Sequence, residues 1–153
     1  MGKISGLGAL QGDIVALLKA LRNRCFSNPG LAVGTTTTRI QVTNAIQFAI
    51  DGVSYNKAAE DNITIAALTA TAAAQNSRVR VEVNTAGTVS FVQGPILSTA
   101  APATPLEAPA RTASRCTIGY FDMPASFTPG TSLASLLTFV NGDPDLNTDK
   151  LEA

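Results

Sequence analysis

Two β-hairpins between Arg39 and Val92 constrain this 153-residue chain more than any other feature. The first turns at Asp51-Gly52, a dipeptide that readily takes the positive φ angles of a two-residue type I′ turn. That turn predicts the cross-strand pairs Ile50–Val53 and Phe48–Tyr55 on one apolar face. The residues expected on the opposite face are Gln47, Ala49 and Ser54.

The second hairpin runs through residues 78–83 and 88–92 and turns at Asn84-Thr85-Ala86-Gly87. Strict alternation predicts one apolar face and one polar face. The apolar face consists of Val79, Val81, Val83, Val89 and Phe91. The polar side chains, which we expect in water, are Arg78, Arg80, Glu82, Thr88 and Ser90. A rim contact to a partner is the alternative role for the two arginines and the glutamate.

Further strand patterns flank these hairpins. Residues 40–50 place apolar side chains at even positions with a bend or bulge at Asn44, and residues 116–120 predict a strand with Cys116, Ile118 and Tyr120 inward. Pro129-Gly130 suits a type II turn, whereas residues 66–75 favour neither helix nor strand. The sequence therefore predicts a mainly β protein: an antiparallel β-sandwich or barrel-like domain over residues 31–140.

Residues 1–30 predict an N-terminal helical arm that ends at Ser27-Asn28-Pro29-Gly30. Its apolar side chains recur at steps of three and four and form one stripe. Two roles remain open for the stripe: packing on the chain's own sheet, or packing on other copies or another subunit. Basic side chains near the end suit the negative end of the helix dipole. The candidate partner-binding residues are Leu7, Leu10, Ile14, Leu17, Leu21, Arg22 and Arg24.

The second half of the chain contains three further segments. Residues 94–114 form a Pro- and Ala-rich stretch that we expect to be extended, either bridging strands within the domain or lying along a neighbouring subunit. Leucines at 133, 136 and 137 with Val140 predict a short C-terminal helix. An acidic tail occupies residues 141–153.

The composition argues against several classes of function. The chain has no histidine, and its eleven basic and eleven acidic residues cancel, so neither common acid–base catalysis nor a field for nucleic acid is expected. No nucleotide-binding or nucleophile motif occurs, and no cofactor, metal or membrane span is expected. The tail residues Asp143, Asp145, Asn147 and Asp149 resemble only the opening of a calcium loop. Cys25 and Cys116 are expected to be reduced.

The order of motifs resembles that of small virion proteins of tailed bacteriophages and prophages. The matching segments are 48–58 with its Ile-Asp-Gly turn, 61–63, 84–94, 116–120 with Ile-Gly-Tyr, and 127–131 with Phe-Thr-Pro-Gly-Thr. The resemblance spans about residues 46–131 and leaves out the N-terminal arm and the acidic tail. The resemblance implies a non-enzymatic structural protein of the virion, made in the host cytoplasm.

Within that class, a capsid decoration or cement protein is the expected role. Its partners would be the major capsid protein and further copies of itself, in a trimer or a dimer. The alternative is a head-fibre or tail-associated adhesin that recognises the host surface. Sugars stack on exposed aromatic rings, and the chain has two tyrosines, six phenylalanines and no tryptophan, mostly at positions predicted to point inward. That distribution favours the decoration role.

Overall fold

The computed structural model describes residues 22–65, 67–99, 106–133 and 138–142. Within these residues the chain is organised as β-strands. The strands are β1 (Leu31–Val33), β2 (Arg39–Val42), β3 (Ile46–Ile50), β4 (Val53–Lys57), β5 (Glu60–Thr64), β6 (Gln75–Val83), β7 (Val89–Gln93), β8 (Leu97–Ser98), β9 (Cys116–Met123) and β10 (Thr138–Asn141).

The strands form three antiparallel sheets around one hydrophobic core. One sheet has the order β1-β2-β5, a second has the order β10-β9-β6-β7 with β8 beside the start of β6, and the third is the hairpin β3-β4. Buried side chains from all three meet in a single cluster, among them Ile40, Phe48, Val81 and Phe121. The prediction of a mainly β, antiparallel fold is confirmed.

The first hairpin has the predicted register. Asp51 and Gly52 have φ angles of 52° and 82°, and Ile50 pairs with Val53 while Phe48 pairs with Tyr55. The Phe48 and Tyr55 rings stack with their centroids 5.7 Å apart. Local turn chemistry was sufficient to predict this element because the two-residue turn leaves only one register.

The prediction that the N-terminal helix continues to residue 30 is wrong. Residues 24–26 are extended and lie along β3, where the amide of Arg24 donates to the Ala49 carbonyl at 3.0 Å and that of Phe26 donates to the Gln47 carbonyl at 2.8 Å. This pairing satisfies the outer edge of β3 and buries Cys25 in the core, two gains that helical continuation would forgo. The first 21 residues of the predicted helix lie outside the described residues.

The predicted C-terminal helix is also wrong where the structure describes it. Residues 138–141 form β10, which pairs with β9, and Phe139 packs against Phe121 with ring centroids 5.9 Å apart. A free edge on β9 and the β-favouring side chains of Thr138, Phe139 and Val140 outweigh the helical spacing of the leucines.

Strand β9 carries a register shift that the alternation pattern could not predict. The pairing with β6 is irregular between Val81 and Glu82, so side chains change face along β9. Cys116 and Ile118 join the core as predicted, but Tyr120 pairs with Arg80 and lies on the opposite face. Tyr120 is buried as predicted, at 1% exposure, but it packs against Arg80 and not in the cluster that holds Cys116 and Ile118.

Other local predictions agree with the structure. The chain bends at Asn44, between β2 and β3. Gly130 has a φ of 90°, and the Thr131 amide donates to the Thr128 carbonyl, as a type II turn requires. Of residues 66–75, those described form no strand before Gln75. Thr71 fixes that connection through hydrogen bonds with Pro124 and Phe127.

Candidate interaction surfaces

The outer face of the β6-β7-β9 sheet is covered by residues 106–112, which we call the strap. Arg80 is 3% exposed and Glu82 is 0% exposed, so the prediction that these side chains lie in water is wrong. The strap contacts them from above the sheet through its main chain. Part of the Pro- and Ala-rich segment thus packs on the chain's own sheet.

Three side chains of β6 hold the strap by its backbone. A guanidinium nitrogen of Arg78 lies 3.5 Å from the Leu106 carbonyl, and the guanidinium of Arg80 donates to the Pro109 carbonyl at 2.8 Å. The amide of Thr112 donates to a carboxylate oxygen of Glu82 at 2.9 Å. The strap residues are spaced by three, the repeat of a polyproline II backbone, whereas the β6 residues are spaced by two, the repeat of one strand face.

Arg80 is the centre of this contact. Besides Pro109, it donates to the Thr117 hydroxyl at 2.9 Å, and its guanidinium carbon lies 5.1 Å from the centroid of the Tyr120 ring. A buried guanidinium is costly unless its donors are satisfied, and a cation over an aromatic face adds favourable electrostatics. Arg80 therefore joins strap, β6 and β9 into one layer.

Glu82 is only half satisfied. One carboxylate oxygen accepts the Thr112 amide, whereas the other is buried and has no hydrogen-bond partner among the described residues. Burial of a polar atom without a partner costs about 1–3 kcal/mol of folding free energy. Glu82 at this position therefore does not maximise the stability of the domain.

Arg78 sits at the edge of the same face and pairs with Asp122. Two guanidinium nitrogens of Arg78 donate to the two carboxylate oxygens of Asp122 at 2.7 and 2.9 Å. The hydrogen bonds to Asp122 raise the pKa of Arg78 above its ordinary value. This bidentate pair closes one side of the polar layer under the strap.

The partners of these charges could not be predicted from the sequence. They are Leu106, Pro109, Thr112, Thr117, Tyr120 and Asp122. The sequence does contain one indication of this contact. Strand β6 carries three charged residues on one face, and the Pro-rich segment, which has no strand partner of its own, could cover them.

A second surface surrounds the point where the N-terminal arm joins the domain. The carbonyl of Arg22 accepts a hydrogen bond from the Gly52 amide at the hairpin tip. Asn23 accepts from the Asp51 amide through its side chain, and from Arg111 through its carbonyl. Together with the Arg24–Phe26 pairing, these bonds attach the base of the arm to β3 and to the hairpin turn.

Two large apolar side chains are exposed on this surface, one beside β3 and one in β4. Phe26 is 56% exposed and Val53 is 55% exposed. Of the predicted partner-binding residues, Arg22 is exposed and Arg24 is half-buried, and both lie on this surface. Leu7, Leu10, Ile14, Leu17 and Leu21 lie outside the described residues.

The remaining polar clusters have local structural roles. The carboxylate of Asp61 accepts hydrogen bonds from the hydroxyl and amide of Thr35, and the hydroxyl contact in particular lowers the pKa of Asp61 below its ordinary value of 3.8. Lys57 forms an ion pair with Glu60. An open groove of about 520 Å³ lies on the hairpin and is lined by Ser27, Ala45, Ile46, Gln47, Asn56, Lys57 and Ala58.

Cys25 and Cys116 are both present as thiols, and both are buried. Among the described residues no cluster of three or more histidine, cysteine or acidic side chains could hold a metal ion. Within the same part of the chain, no helix has the length and hydropathy to cross a membrane.

Comparison of the chain with protein-family models, with curated proteins and with solved structures found no match. The class is therefore defined by the fold and its two surfaces. It is an antiparallel β protein with one core, a strap across one sheet, and an N-terminal arm attached to an exposed hairpin.

Proposed function

We propose that this protein is a non-enzymatic structural protein of a tailed-phage virion, and that it decorates or cements the capsid by binding the major capsid lattice as a homo-oligomer. The observation that carries the proposal is the attachment of the arm. The backbone of Arg24 and Phe26 forms part of the sheet edge at β3. Tension on the arm would therefore act on main-chain hydrogen bonds within a folded sheet.

The resemblance to virion proteins supports the same role. Its matching segments correspond to the β3–β4 hairpin, the β6–β7 turn, β9 and the type II turn at Gly130. These elements build the core, whereas the arm lies outside the resemblance. A shared core with a distinct arm suits a family whose members attach the same domain to different lattices.

The test is co-sedimentation of the purified chain with empty capsids. Ile14→Asp combined with Leu21→Asp places two charges on the predicted apolar stripe and should abolish pelleting, because burying carboxylates in an apolar contact is unfavourable. Ala16→Asp combined with Ala20→Asp adds the same charge away from the stripe and should pellet like the wild type. The circular dichroism of both variants should match the wild type.

Two outcomes would contradict the proposal. Pelleting by the Ile14/Leu21 variant at the wild-type ratio would remove the arm as the contact. A wild-type protein that ignores capsids but adheres to host cells would instead favour the adhesin role.

A further inference from the structure

We infer that strand β4 is a dimerisation edge, at which two copies of this chain pair β4 against β4 in antiparallel orientation about a two-fold axis at Tyr55. The inference concerns self-association in solution: it names a contact for the homo-oligomer of the proposed function, and it does not depend on capsid binding. It follows from which backbone groups of the hairpin already have partners.

The hydrogen bonds of β3 show which groups of β4 are unused. Ala49 and Gln47 direct their backbone groups to Arg24 and Phe26, on the side away from β4. Their cross-strand neighbours are Ser54 and Asn56. In an antiparallel ladder the two residues of such a non-bonded pair point their amides and carbonyls away from each other. Ser54 and Asn56 therefore point these groups outward from the hairpin.

Nothing in the described part of the chain meets these outward groups. In the described part of the chain β4 pairs only with β3, and both Ser54 and Asn56 are exposed. Native proteins usually protect such an edge with charges, proline or a bulge. Strand β5, which lies at the end of its own sheet, carries the charged Glu60 and Asp61, whereas the outward positions of β4 carry only the neutral Ser54 and Asn56.

The spacing of the unused groups is self-complementary. With the axis at Tyr55, Ser54 of each copy faces Asn56 of the other, and both pairs exchange amide–carbonyl bonds. Four backbone hydrogen bonds result. A two-fold axis at Ser54 would use only one residue per copy, because Asn56 would then face Gly52, whose amide already donates to Arg22.

The same arrangement also covers apolar surface. The two Tyr55 rings become direct neighbours at the axis, and Val53 of each copy lies diagonal to the Tyr55 ring of the other. Val53 is 55% exposed in the single chain, and Tyr55 is half-buried against Phe48. Pairing extends the Phe48–Tyr55 stack across the axis, as expected of an isologous interface.

The first test is Ser54→Pro, because proline removes an outward amide without touching the bonds to β3. The variant loses two of the four intermolecular bonds, so we expect a dissociation constant raised at least roughly tenfold. Ser54→Thr keeps the amide and is the control. Sedimentation velocity from micromolar to millimolar concentration should give twice 15.7 kDa for the wild type and the control. At concentrations where the control is still dimeric, Ser54→Pro should sediment with a lower average mass, and its circular dichroism should match that of the control.

The second test reads the register directly and does not depend on the stability of Ser54→Pro. Residues in a non-bonded antiparallel pair have Cα atoms about 4.5 Å apart, within disulfide range, so Tyr55→Cys should form a covalent dimer on oxidation. Ser54→Cys places the two thiols about 7 Å apart along the strands in addition to the strand spacing, and should not cross-link. Wild type under the same oxidant is the control for the buried Cys25 and Cys116.

Three results would overturn the inference. These are a monomeric wild type over the whole concentration range, an oligomer whose mass Ser54→Pro leaves unchanged, or cross-linking by Ser54→Cys in place of Tyr55→Cys. Because capsid binding is measured separately, with changes at Ile14 and Leu21, failure at β4 is distinguishable from failure of the decoration role.

Discussion

Gly119 lies where β9, β10 and the first strand of the domain meet. A Cβ atom at this position would be 2.4 Å from the Val140 carbonyl oxygen and 2.5 Å from Cδ1 of Leu31. Because Gly119 has no side chain, β10 can pair closely with β9 while the Leu31 side chain packs against the backbone of Gly119. A single residue type makes the contact between two sheets possible.

We therefore expect Gly119→Ala to lower the free energy of unfolding by about 3 kcal/mol, because a backbone carbonyl and a packed leucine must both move. Gly130→Ala is the matched control: its φ is 90°, but a Cβ there would meet nothing within 4 Å. Gly130→Ala introduces backbone strain without a steric clash, so it should lower the free energy of unfolding by only about 1 kcal/mol. Urea denaturation of both variants measures the difference, and equal losses would show that the close contact at Gly119 is unimportant.

At the scale of elements, the sequence predicted what local chemistry determines. The β3–β4 hairpin, the β6–β7 turn and the turn at Gly130 each depend on a few adjacent residues, and their predictions are confirmed. The formation of β10 and the side of the sheet on which Tyr120 lies depend on pairing with distant strands. Neither can be predicted from the alternation or the helical spacing of apolar residues. The burial of Arg80 and Glu82 depends on a strap some thirty residues away that binds through its backbone, and so leaves little side-chain signal.

The strap contact predicts a specific effect of Arg80→Met. The change removes the bonds to the Pro109 carbonyl and the Thr117 hydroxyl, and should make opening of the strap easier by about 2 kcal/mol. Trypsin should then cut after Arg111 roughly thirtyfold faster, because cleavage follows the population of the open form.

Arg115→Met is the control for the strap, since the guanidinium of Arg115 donates to the Ser90 hydroxyl of β7 and not to the strap. It should leave cleavage after Arg111 unchanged, as followed by mass spectrometry of the fragments. Equal rates in wild type and Arg80→Met would mean that Arg80 does not hold the strap.

The three sheets of the molecule share one core, and each cysteine lies in a different part of that core. Cys25 lies beside β3 at the base of the arm, and Cys116 begins β9. Both belong to the same buried cluster. A hairpin that behaved as a separate unit would expose Cys25 without exposing Cys116, so thiol labelling can distinguish one cooperative unit from two.

We expect the whole domain to unfold in urea in a single cooperative transition. In Cys116→Ala and Cys25→Ala, each of which keeps one thiol, the urea midpoint for thiol labelling should coincide with the midpoint from circular dichroism of the same variant, as two-state unfolding requires. Each substitution lowers stability by its own amount, so the comparison is made within a variant and not between them. Labelling of Cys25 at distinctly lower urea than the loss of β structure would show that the hairpin and the base of the arm open on their own. In that case the hairpin would be a mobile attachment to the β6-β9 sheet, and the backbone bonds at β3 would not suffice to transmit tension from the arm to the core.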